Sequence, residues 1–264
     1  MNRLAQCFTA LRAKNKTAFI PYLMAGDPDA DTSLAVMHAL ANHGADVLEL
    51  GFPFSDPTAD GIAIQHAGNR ALAAGMTLKK TLELCTRFRE NNQHTPIILM
   101  GYANPVMHYG YDACAKAMHD AGVDGIIIVD IPPEEEQEIV PSLRAHHVDF
   151  IRLLAPTTLG ERLPKILHSC TGFVYAIGIK GITGTHSANH DELRDRIATI
   201  RTHTDLPIVS GFGVHSAEQI RSYADFCDGV VVGSALVQHL YEAHRAGQHV
   251  AEAATRWIET ILAV

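Results

Sequence analysis

The stretch DVLELGFPFSDPTADG, Asp46 to Gly61, begins as a strand and ends as a turn-rich loop. Side chains alternate across a strand, so Leu48 and Leu50 share one face while Val47 and Glu49 share the other. Apolar residues on both faces suit a strand buried on both sides, as in a parallel sheet covered by helices. In a barrel the two leucines would meet the surrounding helices, and Glu49 would point inward near the mouth. A carboxylate there is costly unless it is paired or protonated. Burial raises its pKa toward neutrality, which suits a group that both gives and takes a proton. The competing reading is a structural ion pair, with Arg152 as the main candidate partner.

Seven further apolar, β-branched runs accompany Asp46–Gly51: residues 17–23, 96–102, 125–130, 149–155, 173–178, 207–213 and 229–235. Helical periodicity fills the gaps. Leu34, Met37 and Ala41 share a face in residues 31–43, and Leu78, Leu82, Cys85 and Phe88 share one in residues 77–90. Ser216 with Gln219 reads as a capping box. Strand and helix alternating eight times predict a single (β/α)8 TIM barrel over residues 1–264, with an additional helix after strand two and another at the N-terminus. An open doubly wound sheet is the weaker alternative, because no GxGxxG or GxxxxGK[ST] follows a strand. Asp46, Asp124, Asp149 and Asp228 each stand just before a strand, at the bottom of such a barrel, and read as structural. Glu134–Glu136 reads as a solvated first helical turn.

Composition narrows the function classes. With 47% hydrophobic residues among 264, a large core can be buried, and a formal net charge of −8 argues against nucleic-acid or bilayer binding. No apolar run approaches the roughly 20 residues of a spanning helix, and the N-terminal stretch lacks a signal-peptide core. A cytoplasmic protein is expected. Five scattered cysteines form no CxxC and read as buried thiols, and sixteen histidines show no regular ligand spacing.

Barrel active sites lie at the C-terminal ends of the strands. Asp56 and Asp60 follow strand two; by pattern alone either is ordinary turn chemistry. Strands seven and eight end in Ser210–Gly213 (SGFG) and Val231–Ala235 (VVGSA). Glycines there let backbone N–H groups approach an anion, and a helix N-terminus adds a favourable dipole, so a phosphate site is expected. The Gly-, Thr- and Ser-rich stretch 179–190 is long enough to act as a lid.

The motifs YLMAGDPD (22–29), LELGFPFSDPTADG (48–61), IQHAGNRAL (64–72), LMGYANPV (99–106), LLAPTT (153–158), GITG (181–184), SGFGV and VVGSA are similar to those of the tryptophan synthase α-subunit family, in order and over nearly the whole chain. The resemblance implies a cofactor-free retro-aldol cleavage of indole-3-glycerol phosphate to indole and glyceraldehyde 3-phosphate. It makes Glu49 the general acid/base and Asp60 the carboxylate that holds the indole N–H. Tyr22, Met100, Tyr102, Val129, Leu153, Tyr175, Thr183 and Phe212 match pocket positions, and Gly184, Gly213, Gly233 and Ser234 match the phosphate cradle. It also implies a β subunit, carrying PLP, in an αββα complex that would meet Asp56, Asn104 and Pro132. Three positions depart from the family pattern: Ile62 for a proline, Gly178-Ile179-Lys180 before GITG, and Gly101 for a threonine. Alternatives are a stand-alone indole-releasing lyase, a mainly allosteric non-catalytic activator, and another phosphate-binding barrel, such as an isomerase or a synthase that would need a strand-end lysine.

Overall fold

A computed structural model describes residues 2–158, 160–178, 186–211 and 213–263. Eight parallel strands close into a barrel in chain order. They are β1 (Ala18–Met24), β2 (Leu48–Gly51), β3 (Ile97–Gly101), β4 (Gly125–Ile128), β5 (Asp149–Leu154), β6 (Val174–Ala176), β7 (Ile208–Ser210) and β8 (Gly229–Val232). Around them run α1 (Arg3–Ala13), α2 (Ala30–Asn42), α3 (Ile62–Ala73), α4 (Leu78–Arg89), α5 (Ala103–Tyr109), α6 (Tyr111–Asp120), α7 (Val140–Ala145), α8 (Arg162–Ser169), α9 (His186–Arg201), α10 (Ala217–Ala224), α11 (Ser234–Arg245) and α12 (Val250–Leu262). The expected barrel is present, with α1 ahead of it and both α3 and α4 between β2 and β3. Each predicted strand is found; β3 to β8 are shorter at the mouth end, where the last residues of the apolar runs leave the ladder or open a helix, as Ser234 does, whereas β2 ends as predicted and β1 runs on to Met24.

A repeated clamp closes the bottom of the barrel. Asp46, Asp124, Thr171 and Asp228 each precede an even-numbered strand. Each gives its backbone N–H to the carbonyl of the residue that starts or nearly starts the preceding odd strand: Phe19, Ile97, Phe150 and Ile208, at 2.8–2.9 Å. Each also accepts that same residue's N–H on its side-chain oxygen, again at 2.8–2.9 Å. Strand-edge donors are thus satisfied where the ladder ends. Three of the four aspartates expected to be structural do this; the fourth clamp, before β6, is Thr171, while Asp149 opens β5. Asp149 instead accepts a hydrogen bond from Asn2 at 2.5 Å, the residue that caps α1. Arg3 and the buried Arg89 both bind Asp124, so α1 and α4 are tied to the same point.

Other expectations are corrected by packing. The buried face of α2 is Ser33, Val36, Met37 and Leu40, while Leu34 and Ala41 are half-covered at its edge. The Ser216 hydroxyl caps Gln219, but the Gln219 amide accepts from His215 rather than from Ser216, one residue off a true capping box. Glu136 is not solvated. It is buried, accepts a hydrogen bond from Ser169 at 2.8 Å and lies 3.5 Å from Arg152. Arg152 therefore points outward with Phe150, over whose ring it sits, and is no partner for Glu49. The predicted lid stretch is helical from His186 onward, and its residues 179–185 lie outside the described residues.

Replacing Asp124 by Ala should cost about 3–5 kcal/mol in urea unfolding, because it strands the buried Arg89 guanidinium and the Ile97 N–H. Replacing Asp120, whose exposed partner is Lys116, should leave the urea midpoint nearly unchanged. Equal effects would contradict the clamp.

Candidate active site

Three strands carry a half-buried residue toward the mouth in otherwise covered runs: Met100 on β3, Leu153 on β5, whose first residue Asp149 is also half-buried, and Tyr175 on β6. All sit near C-terminal strand ends. Register places Met100 opposite Gly51 and Leu153 opposite Tyr175. Val129, two residues past Ile127, continues the same inner face and is half-buried. These expected pocket residues are therefore inward side chains left partly uncovered at the barrel mouth.

Glu49 lies at its floor. It pairs in register with Tyr22 on β1 and Ile98 on β3 and is 2% exposed. Its charge is felt by Tyr175 on β6, on the far side of the barrel, so both side chains point inward. The buried Oε2 has no hydrogen-bond partner among the described residues. Desolvation alone pushes the Glu49 carboxyl up to about 8. No described residue compensates a charge here, so burial keeps the group protonated near neutral pH.

Asp60 is set by the loop above. The loop turns through the bonds Thr58 N–H to Asp56 and Asp60 N–H to Pro57, and the Gln65 amide of α3 donates to the Asp60 carbonyl at 2.8 Å. The Tyr102 hydroxyl accepts from the Ala59 N–H at 3.0 Å and stabilises the Asp60 carboxylate as a donor. Burial still wins and raises Asp60 to about 6. Two carboxyls thus differ in their proton affinity because one is partnered and the other is not. Asp56, by contrast, is exposed and takes only the neighbouring Ser55 hydroxyl.

Aromatic rings fill space that glycines leave. A Cβ on Gly51 would stand 2.1 Å from the Tyr22 hydroxyl, and one on Gly101 would stand 2.3 Å from the Phe52 ring. Gly101 replaces the threonine usual in the resemblance, and Phe52 explains why: its ring occupies that place. Next along, Phe54 packs on Tyr102 with ring centroids 5.3 Å apart. The Asp27 loop after β1 is held by Arg70, which donates two hydrogen bonds of 2.7 Å and lies 3.9 Å over the Tyr241 ring of α11.

The anion end is made by β7, β8 and α11. Gly211 leaves no room for a side chain, since its Cβ would meet the Val231 carbonyl at 2.1 Å. Gly213 has φ +74°, a conformation that favours glycine. Gly233 caps α11 without any side-chain bond, so the first-turn N–H groups of a twelve-residue helix are open to an anion. Ser234 is exposed at that turn, whereas Ser210 is buried and bonds the Ala176 carbonyl. Thr183, Gly184 and Phe212 lie outside the described residues. Asn104 is exposed and Pro132 half-buried, and the Ala103 N–H beside Asn104 donates to Asp130. Sequence reasoning gave no task to Gly51, Phe52 or Arg70. Only the inward phase of Gly51, two residues after Glu49, was a signal.

Glu49 sits above its ordinary range, so the native state holds its proton more tightly than the unfolded chain between pH 4.5 and about 8. Stability contributed by this group is complete below 4.5 and is lost as pH rises through 8. Glu49→Gln should therefore be more stable than wild type at pH 8, by an amount on the order of a few kcal/mol, and equal to it near pH 4. A variant less stable than wild type at pH 8 would contradict uncompensated burial. Gly101→Thr should cost roughly 1–3 kcal/mol, and adding Phe52→Val should recover most of that loss in a double-mutant cycle.

A profile of the tryptophan synthase alpha chain matches residues 8–261. The fold superimposes on a tryptophan synthase subunit alpha from Legionella pneumophila with TM-score 0.92 and 37% identity, covering 100% of this chain and 98% of the other. A tryptophan synthase from M. tuberculosis, in an aminoacrylate-bound form, matches with TM-score 0.86 and 33% identity, covering 99% and 100%. A chain from Aquifex aeolicus matches at 34% identity with TM-score 0.87, covering 99% of each. The chain belongs to the tryptophan synthase alpha chain family, whose members are lyases that cleave indole-3-glycerol phosphate.

Proposed function

We propose that this chain cleaves indole-3-glycerol phosphate by a retro-aldol step, with Glu49 as general acid/base and Asp60 as the stabilising carboxylate. The carrying observation is the pair itself: a protonated Glu49 without a partner on the floor and a partnered Asp60 above it. Glu49 first gives its proton to indole C3. The positive charge that builds on the ring nitrogen meets the Asp60 carboxylate, a preorganised electrostatic partner. The Glu49 carboxylate then takes the proton of the C3′ hydroxyl. The C3–C3′ bond breaks, its electron pair returns to the ring, and indole and glyceraldehyde 3-phosphate leave with Glu49 reprotonated.

The open first turn of α11 with Gly213, Gly233 and Ser234 suits the phosphate, and Gly184 would complete the cradle. Met100, Val129, Leu153, Tyr175 and Phe212 would wall the indole, with Tyr102 supporting Asp60. Thr183 would close toward the Asp60 loop. No step needs a cofactor in this chain. We infer that a β subunit carrying PLP takes the indole onward in a cytoplasmic αββα complex, and that residues 1–264 act as one domain. Asp56, Asn104 and Pro132 are the partner-facing positions in this reading. Ile62, 73% exposed at the start of α3, and Met107, 56% exposed on α5, are large apolar side chains beside that surface and support it. No helix among the described residues is long and apolar enough to cross a membrane.

Indole release from indole-3-glycerol phosphate should be weak for the chain alone and rise strongly with a β subunit. Glu49→Gln should lose roughly 10²–10⁴-fold with the partner present. The active form needs Asp60 ionised and Glu49 protonated. Hence kcat/KM should rise through about pH 6 and fall through about pH 8. Full activity of Glu49→Gln, or a profile flat from pH 5 to 10, would overturn the assignment.

A further inference from the structure

The hydroxyl of Tyr22 is a pocket group with no task in this mechanism. Its ring starts on β1 and reaches over the end of the neighbouring β2. At its root, a Cβ on Gly233 would stand 3.4 Å from the Tyr22 Cβ, so the ring begins beside the first turn of α11. At its tip, the hydroxyl lies over Gly51, in the place a side chain would fill. The backbone of Tyr22 is level with that of Glu49, and Gly51 is two residues further toward the mouth on the same inner face. The hydroxyl therefore stands one layer above Glu49, on a ring that reaches there from the anion end.

Tyrosine is an amphipathic residue whose buried hydroxyl usually finds a partner. Among the described residues, none hydrogen-bonds to this one. Phenylalanine would supply the same apolar wall without needing glycine at position 51. The charges that act on the phenol are Asp60 first, then Glu49. Together with burial they hold it protonated, so it is available as a donor across the working pH range. It is a donor placed between an anion site and a carboxyl pair.

In a substrate with phosphate at one end and indole at the other, the part lying between those two anchors is the three-carbon chain. That chain carries two hydroxyls. Glu49 engages the one at C3′, which leaves the one at C2′. We propose that the Tyr22 hydroxyl donates a hydrogen bond to the C2′ oxygen of the substrate and so selects a glycerol chain over a deoxygenated one. The assignment rests on the reaction proposed above and adds a recognition contact to it.

The test is a cycle on the complex with a β subunit. Wild type and Tyr22→Phe are each assayed with indole-3-glycerol phosphate and with its 2′-deoxy analogue. Removing the phenol oxygen should lower kcat/KM for the natural substrate roughly 3- to 10-fold, mostly in KM. Removing the substrate oxygen should do the same to wild type, and the second deletion should then add less than about two-fold. Affinity for 3-indolylpropyl phosphate, which lacks both hydroxyls, should be equal in the two proteins. Additive losses, or equal losses on all three ligands, would overturn the contact, as would an unchanged variant. If wild type fails to cleave indole-3-glycerol phosphate, the reaction itself falls and the contact with it. If wild type cleaves it and only the cycle fails, the reaction stands alone.

Discussion

The whole site depends on a carboxyl group buried where no described residue neutralises it. Glu49 projects into the barrel, while Arg152, the cation expected as its partner, faces the other way and is already held by Glu136. A single uncompensated charge in such a medium costs more than its loss of a proton. The carboxyl therefore keeps its proton near neutrality, and the protein retains an acid where most proteins would hold a salt bridge. That choice works against stability at alkaline pH and in favour of chemistry. Asp60 shows the contrast: a similar group, one loop away, is kept more acidic by a Tyr102 hydroxyl and by its partial exposure.

Stability comes from the opposite end of the barrel. There the polar groups are saturated. Asp46, Asp124, Thr171 and Asp228 each exchange two hydrogen bonds with the preceding strand, and Arg89 gives its guanidinium to two or more carbonyls as well as to Asp124. The mouth, by comparison, holds rings seated over glycines and an open helix turn. This division lets the bottom fix the register while the top keeps an unpaired acid, a pocket and a free anion site.

Much of this was legible in the sequence, for identifiable reasons. The strands announced themselves because each is buried on both faces, and the inward phase of Glu49 follows from alternation alone. The bottom aspartates were visible as a repeat. Thr171 was not, because it performs the same bonding with a different residue type. Glu136 looked solvated among three consecutive glutamates, yet Arg152 and Ser169 reach it from distant elements, which no local pattern discloses. Spacing could not separate Asp60 from Asp56; the family resemblance did, and the contact of Asp60 with Tyr102, a residue just past a different strand, supplies the physical difference. The fit of Phe52 against Gly101 and of Tyr22 against Gly51 is likewise a property of neighbouring strands, written in two places at once.

The most direct measurement is the proton affinity of Glu49 itself. Carboxyl titration by carbon-detected NMR on glutamate-labelled protein, with Glu49→Gln identifying the resonance, reads it without substrate or partner. The account predicts one glutamate that remains protonated at pH 7 and titrates near pH 8. A Glu49 carboxyl fully ionised by pH 6 would contradict it, because an acid already spent cannot protonate the indole ring.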